Sequence, residues 1–214
     1  MQKLQLQNEA DGELRLESLD LHDLECMRGI FLKSLRTVLL SRNMVSNIDI
    51  LNQYRNLESI DASNCYIEDI NFNLPKLVHL NLSNNYLRQF PILESMQRLT
   101  YLNLNSNKLV EFQSFHYEQT KNIKTFDIGG NMIEFETKAE FTDFLNKLMR
   151  LNSLQQLVVD ENPFFEHENL MKFPGIDIKE ELIKQLKNLE ELNGDDMQTV
   201  QRQMEKAQVQ EEIK

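Results

Sequence analysis

The 214-residue chain has little cysteine, few basic residues and no long apolar run. Its two cysteines, Cys26 and Cys65, are too few for a disulfide framework, and no ligands are spaced as a zinc site requires. Free thiols suit a reducing compartment. No stretch approaches the ~20 apolar residues of a membrane span. The opening MQKLQLQNEADGEL has neither the basic start nor the apolar centre of a signal peptide. A chain on the cytosolic side, with no membrane association, is therefore expected. Against 23 basic residues stand 34 acidic ones, a net charge of −11. Phosphate binding needs concentrated Lys and Arg, so direct nucleic-acid binding is not expected, whereas basic partners are permitted.

Catalytic constellations are missing as well. His22, His79, His116 and His167 are scattered without metal spacing, and no Ser-His-Asp or Cys-His arrangement can be drawn. There is no phosphate-cradling glycine loop. The sequence predicts no catalytic residues, no cofactor and no metal, and hence no enzyme. Asp195-Asp196 reads as a helix start. KLVEF at 108–112 matches a docking pattern of phosphatase partners, but Leu109 and Phe112 hold core positions of the pattern described next, so the match is read as accidental.

What the chain has is a repeat. LVHLNLSNNYLRQF at 77–90 and LTYLNLNSNKLVEF at 99–112 match position for position as L-x-x-L-x-L-x-x-N-x-L-x-x-F. LESIDASNCYIEDI at 57–70 follows with Ala62 and Cys65 as substitutions, and LRTVLLSRNMVSNI at 35–48 follows with Val38 and Val45. IKTFDIGGNMIEFE at 123–136 and LQQLVVDENPFFEH at 154–167 follow for most of their length. LESLDLHDLECMRG at 16–29 fits its first half, with Leu24 where asparagine is expected. Units thus start at 16, 35, 57, 77, 99, 123 and 154, mostly about 22 residues apart, the period of a leucine-rich repeat.

Each unit has a physical logic. In x-Leu-x-Leu-x, alternate residues of a short strand point inward. The sharp turn that follows leaves buried backbone groups without ladder partners, and an inward carboxamide can both donate and accept. Asn43, Asn85, Asn107, Asn131 and Asn162 should form this ladder, with Cys65 a weak stand-in. One unit buries about five aliphatic side chains at ~1.5–3 kcal/mol each. Ordering ~22 residues costs ~1–2 kcal/mol per residue. Units must therefore stack. The expected fold is an α/β solenoid with a parallel sheet on its concave face and helices or turns on its convex face.

The expected organisation is a lead-in over 1–15, the solenoid over 16–162, a C-terminal cap over 163–194 and a charged helical tail over 195–214. A helix is predicted near 137–151, opened by a Thr137/Glu140 capping box and carrying Phe141, Phe144, Leu145, Leu148 and Met149 on one face. In the cap, Ile178, Leu182, Ile183 and Leu186 form an apolar helix face. Leu189-x-x-Leu192 restarts the repeat and stops at Asn193-Gly194. Met197, Val200, Met204 and Ala207 line the tail, read as a helix lying on the cap or, alternatively, as a partner-binding helix.

These units and the ending NPFF…EELIKQLKNLEELNG resemble the short leucine-rich repeat class with its C-terminal cap. Ciliary and axonemal members such as the leucine-rich axonemal dynein light chain belong to it, as do a phosphatase regulatory subunit and a spliceosomal protein. The resemblance implies a non-catalytic docking scaffold in a hetero-oligomeric complex. Its partners would be axonemal or cytoskeletal proteins, and its location the cytoplasm, cytoskeleton or cilium. The alternatives it leaves are a regulatory subunit of a phosphatase or kinase, or a nuclear ribonucleoprotein component. The concave face should then carry the partner site. Counting from each unit's first Leu, position 5 places Asp20, Leu39, Asp61, Asn81, Asn103, Asp127 and Val158 there. Position 7 adds His22, Ser41, Ser63, Ser83, Asn105, Gly129 and Asp160, and position 3 adds His79 and Tyr101. Tyr101 is the expected principal contact, because interfaces favour aromatic anchors within a polar rim.

Overall fold

A computed structural model describes residues 12–112, 115, 121–166 and 176–203. Three-residue strands recur, each with a buried middle residue between more exposed neighbours. They are β1 (Glu13–Arg15), β2 (Thr37–Leu39), β3 (Ser59–Asp61), β4 (His79–Asn81), β5 (Tyr101–Asn103), β6 (Thr125–Asp127) and β7 (Gln156–Val158). β8 (Glu191–Leu192) joins as an eighth parallel strand, and β9 (Asp195–Asp196) closes the sheet in antiparallel sense. Strand order equals chain order, so every coil pairs only with its neighbours. This is the stacked solenoid the repeat predicts. The return segments hold wider elements, α1 (Lys138–Met149) and α2 (Ile178–Gln185) among them. A helix is about 10 Å across and strands lie ~4.8 Å apart, so the stack bends with the sheet inside.

The carboxamides pin the bends. Asn107 Nδ2 donates to its own coil's Leu104 C=O at 3.0 Å and to Leu82 C=O of the preceding coil at 2.9 Å, while its Oδ1 accepts from Leu87 N–H at 3.0 Å. Asn85 holds Leu82 C=O, Ala62 C=O and Ile67 N–H in the same way. Asn43, Asn131 and Asn162 repeat the arrangement. All five are buried. Cys65 donates to Leu40 C=O and Ser63 C=O at 3.5 and 3.6 Å, but brings no amide oxygen to Val45 N–H. Burial raises its thiol pKa, which keeps it neutral in this role. The residue just before the ladder position is left-handed in coil after coil: Ser18, Arg42, Asn64, Asn84, Ser106, Gly130 and Glu161 have φ between 53 and 61°.

The first coil corrects the predicted frame. Leu14 pairs with Val38, so the unit begins five residues before Leu16, and β1 lies within the stretch read as a lead-in. Leu14 and Leu16 are the inward strand residues. Leu19, not Leu24, stands at the carboxamide position, and it is 49% exposed. Asn43 reaches back to this coil's backbone, so the first coil needs no carboxamide of its own. Asp20 and His22 consequently fall outside the strand, and Glu13, Arg15 and Glu17 take the concave positions.

In α1, Thr137 Oγ1 accepts from Glu140 N–H at 3.2 Å and Glu140 Oε2 accepts from Glu136 N–H at 2.8 Å, a capping box shifted by one residue. Phe141, Phe144, Leu145 and Leu148 are buried, but Met149, predicted on the same face, is exposed. Phe144 lies 4.7 Å from Phe112, 5.1 Å from Phe135 and 5.2 Å from Phe164 between ring centroids, so the inserted helix locks three coils together.

At the far end Asn193 and Gly194 both have positive φ, at 52° and 84°, which makes a two-residue hairpin turn and reverses the chain into β9. In earlier coils the position-6 N–H donates to the next strand's backbone, as Leu104 N–H does to Asp127 C=O. Here Val159 N–H donates instead to Asn193 Oδ1 at 2.8 Å. Asp195-Asp196 is thus first a closing strand and only then a helix start, with Asp196 capping Thr199. Met197 is buried against the cap and Val200 packs beside it, while Met204 and Ala207 lie outside the described residues.

Removing a ladder carboxamide orphans buried groups in two coils. Asn107→Ala should lower unfolding free energy by about 3 kcal/mol, read as a reduced denaturation midpoint beside an exposed control such as Lys108→Ala. An unchanged midpoint would contradict the ladder. The converse change, Cys65→Asn, supplies the missing acceptor for Val45 N–H and should stabilise by ~1 kcal/mol, measured the same way.

Candidate functional site

The sheet face opposite the core carries two parallel rows. From β2 to β7 the position-5 row reads Leu39, Asp61, Asn81, Asn103, Asp127, Val158, and the position-3 row reads Thr37, Ser59, His79, Tyr101, Thr125, Gln156. Tertiary pairing places His79 beside Tyr101, with parallel rings 4.0 Å apart between centroids and 8° between planes. The stacking axis runs along the solenoid. One outer ring face therefore looks toward β3 and the other toward β6. Tyr101 Oη accepts from Asn103 Nδ2 at 3.3 Å.

The row has a local task too. Asp61 Oδ1, Asn81 Oδ1, Asn103 Oδ1 and Asp127 Oδ1 each accept the N–H two residues on, from Ser63, Ser83, Asn105 and Gly129. These are Asx turns that start the bend. Either Asp or Asn can make that bond, so the choice of a carboxylate is free for another purpose.

Asp127 is half-buried and crowded by its neighbours. Burial pushes its pKa up, and nearby Asp160 adds to this; hydrogen bonds from Asn105 Nδ2 at 3.0 Å and from Gly129 N–H oppose it. The crowding is steric as well. A Cβ on Gly129 would lie 2.9 Å from Asn105 Nδ2 and 3.0 Å from Asp160 Oδ1, so a larger residue there would push these side chains aside. Burial pushes the His79 pKa down, partly offset by Asp61, so the ring is neutral at neutral pH. At positions 3, 5 and 7 of the described coils, Glu13, Glu17, Asp61, Asp127, Asp160 and Glu191 are acidic and Arg15 is the basic residue, with Arg42 at position 8 beside them. Arg15 is paired with Glu13. The strip is an acidic surface with an aromatic centre.

Other sequence-read groups stay apart. Cys26 is exposed on a 3-10 turn and Cys65 is buried at a bend, so they do not meet. His22 lies off the sheet face, and His116 and His167 lie outside the described residues. Among the described residues, no three His, Cys, Asp or Glu side chains are grouped to hold a metal ion, and no helix is long and apolar enough to cross a membrane. Leu109 and Phe112 of KLVEF are buried, so that segment is not presented as a docking peptide.

One surface escaped the sequence reading. Position 10 of five successive coils places Met44, Tyr66, Tyr86, Lys108 and Met132 along the rim where strands exit. Tyr66 and Tyr86 stack at 5.6 Å and stay 49% and 44% exposed. Their sequence signal is plain only once the units are superposed. A cleft of about 730 Å³ lies at the opposite rim near the cap, lined by Lys124, Asn152, Lys187, Asn188 and Glu190 among others.

The fold is a leucine-rich repeat solenoid. Residues 76–97 match the Leucine Rich Repeat family. Toll-like receptor 2 of Homo sapiens is 29% identical over 97 residues, 45% of this chain and 12% of the receptor. The transforming growth factor beta activator LRRC33 of Danio rerio is 30% identical over 160 residues, 64% of this chain and 23% of the relative. The chain thus spans less than a quarter of the length of these relatives. A TLR13–ssRNA13 complex superposes with TM-score 0.60 over 84% of this chain and 24% of that one, at 23% identity. An internalin of Listeria monocytogenes superposes with TM-score 0.54 over 83% of this chain and 52% of that one, at 14% identity. These likenesses establish the architecture; none of them bears on cilia or axonemes.

Ionised Asp127 opposes folding. Its carboxyl binds a proton at higher pH when folded than when unfolded, so the cost is present at neutral pH and is relieved as pH falls through the raised pKa. Asp127→Asn keeps the Asx bond and should raise the melting temperature at pH 7. The gap should close toward acid pH, as wild-type Asp127 takes up its proton. A variant no more stable at pH 7 would contradict this account.

Proposed function

We propose that this chain is a non-catalytic scaffold that holds another protein against its concave face. The observation that carries this reading is the acidic strip around the stacked His79–Tyr101 pair. The core is satisfied without it, and one of its carboxylates opposes folding. Residues kept at a cost to stability are characteristic of sites. The contact set is Leu39, Asp61, His79, Asn81, Tyr101, Asn103, Asp127 and Val158. Leu39 and Val158 supply apolar ends, and the rows between them supply aromatic, amide and carboxylate groups. No cofactor or metal is needed for such a role. The polarity of the strip favours a basic protein partner over nucleic acid or membrane lipid.

The finer reading places the chain as a docking subunit of a ciliary or axonemal complex, in the cytoplasm and cytoskeleton. Its support is the helix-bearing step before the last repeat and the helical cap, which resemble those members of the short-repeat class. Assembly would be hetero-oligomeric.

The test is affinity purification from ciliated cells, comparing the wild-type chain with Tyr101→Ala/Asp61→Lys at matched melting temperature. Axonemal proteins retained by the wild type and lost by the variant are expected. A retained set identical for both would move the interface off the concave face. Co-purification of an active phosphatase instead would replace the ciliary assignment and leave the concave-face reading standing.

A further inference from the structure

The concave strip reads nearly the same in both directions. About the β4–β5 boundary, position 5 runs aliphatic, carboxylate, amide, amide, carboxylate, aliphatic: Leu39, Asp61, Asn81, Asn103, Asp127, Val158. The aromatic pair lies on the same centre, in the neighbouring row. The outer face of His79 looks toward the strand that carries Asp61, and the outer face of Tyr101 toward the strand that carries Asp127. Each end of the stack therefore offers a carboxylate and a ring face together. That pairing suits a guanidinium or ammonium group, which is drawn to both. Asp61 and Asp127 stand three strand spacings apart, about 14 Å. Their separation is fixed by the parallel ladder between them.

We propose that the strip is a two-pronged ruler for an extended basic segment of a partner, one that presents two cationic side chains four residues apart. Four residues of extended chain cover ~13 Å and return to the same side of the strand, which matches the carboxylate separation. Residues two apart span only about half of it. The residue midway sits above the edges of His79 and Tyr101 and must be small. Aliphatic residues beyond the two cations meet Leu39 and Val158. The occupant is basic because the charged groups of the two rows between β2 and β7, Asp61 and Asp127, are both carboxylates, with no Lys or Arg at positions 3 or 5 of those strands. This proposal rests on the concave-face reading above and adds the spacing that reading lacks.

Two peptides of identical composition separate the ideas. Leu-Ser-Arg-Ser-Gly-Ser-Arg-Ser-Leu carries the arginines four apart, and Leu-Ser-Arg-Ser-Arg-Ser-Gly-Ser-Leu carries them two apart. Fluorescence polarisation of the labelled peptides against the wild-type chain should give about tenfold tighter binding for the first. Asp61→Asn and Asp127→Asn keep the Asx bonds, and each should remove that preference. Equal binding of the two peptides, reduced by either variant, overturns the ruler while leaving the concave site intact. Binding indifferent to both variants overturns the ruler and the concave-face reading together. No binding of either peptide by the folded chain overturns the ruler, and the purification experiment then decides the concave face alone.

Discussion

The stack depends on a ladder of buried carboxamides, Asn43, Asn85, Asn107, Asn131 and Asn162, each joined to two coils at once, with Cys65 in the one gap between them. The asparagine of a coil closes its own turn with one amide hydrogen bond and the preceding turn with a second, and its oxygen takes an N–H of that preceding coil. Beyond its own turn, each asparagine serves the preceding coil and not the following one. A coil needs the asparagine of the coil after it, and this accounts for both ends. The first coil tolerates Leu19 at that position because nothing precedes it in the described sheet. The last coil has no successor of the same kind, so Asn193, held in a left-handed turn, offers its side-chain oxygen where earlier strands offer a backbone carbonyl. Capping is the continuation of the same hydrogen-bond demand by a different atom.

The inward positions are then committed, and the outward ones are nearly free. Leu80, Leu82 and their equivalents are buried whatever the partner is, while His79 and Asn81 only have to suit a pleated surface. Position 5 lies between these cases. Its Asx bond requires a short side chain with an oxygen, and therefore does not decide between acid and amide at Asp61, Asn81, Asn103 and Asp127. At Asp127 the acid carries a cost, since burial disfavours the charge.

Much of this was legible in the sequence because a coil repeats its constraints. Asn85 and Asn107 announce each other, and so do the strands at 79–81 and 101–103. The first coil was not legible in the same way. Leucines at 14, 16, 19, 21 and 24 admit two frames five residues apart, and spacing alone favours the wrong one. Strand pairing with β2 decides between them. Met149 was misplaced because helical spacing marks a face without marking where the core ends. Asn193-Gly194 marks a stop in the repeat and is equally a strong signal for a hairpin turn. The two aromatic stacks, His79–Tyr101 and Tyr66–Tyr86, join residues 22 and 20 positions apart. They become visible when units are laid in register, not when residues are read along the chain.

The arrangement also explains why this surface could keep a fixed spacing while the rest of the chain varied. Successive units are 20, 22, 24, 31 and 35 residues long, and the extra length of the longer steps falls in the returns, where α1 and α2 lie. The strands remain one hydrogen-bond spacing apart throughout, and register is kept across every pair. Insertions on the convex side change curvature by small amounts and leave the order of side chains on the sheet untouched. A partner that reads distances along the concave face is thus insulated from changes behind it. The rigidity comes from the backbone ladder, which holds the strands carrying His79, Tyr101 and the two carboxylates at fixed spacing, so under the proposed reading little ordering would be left to oppose binding.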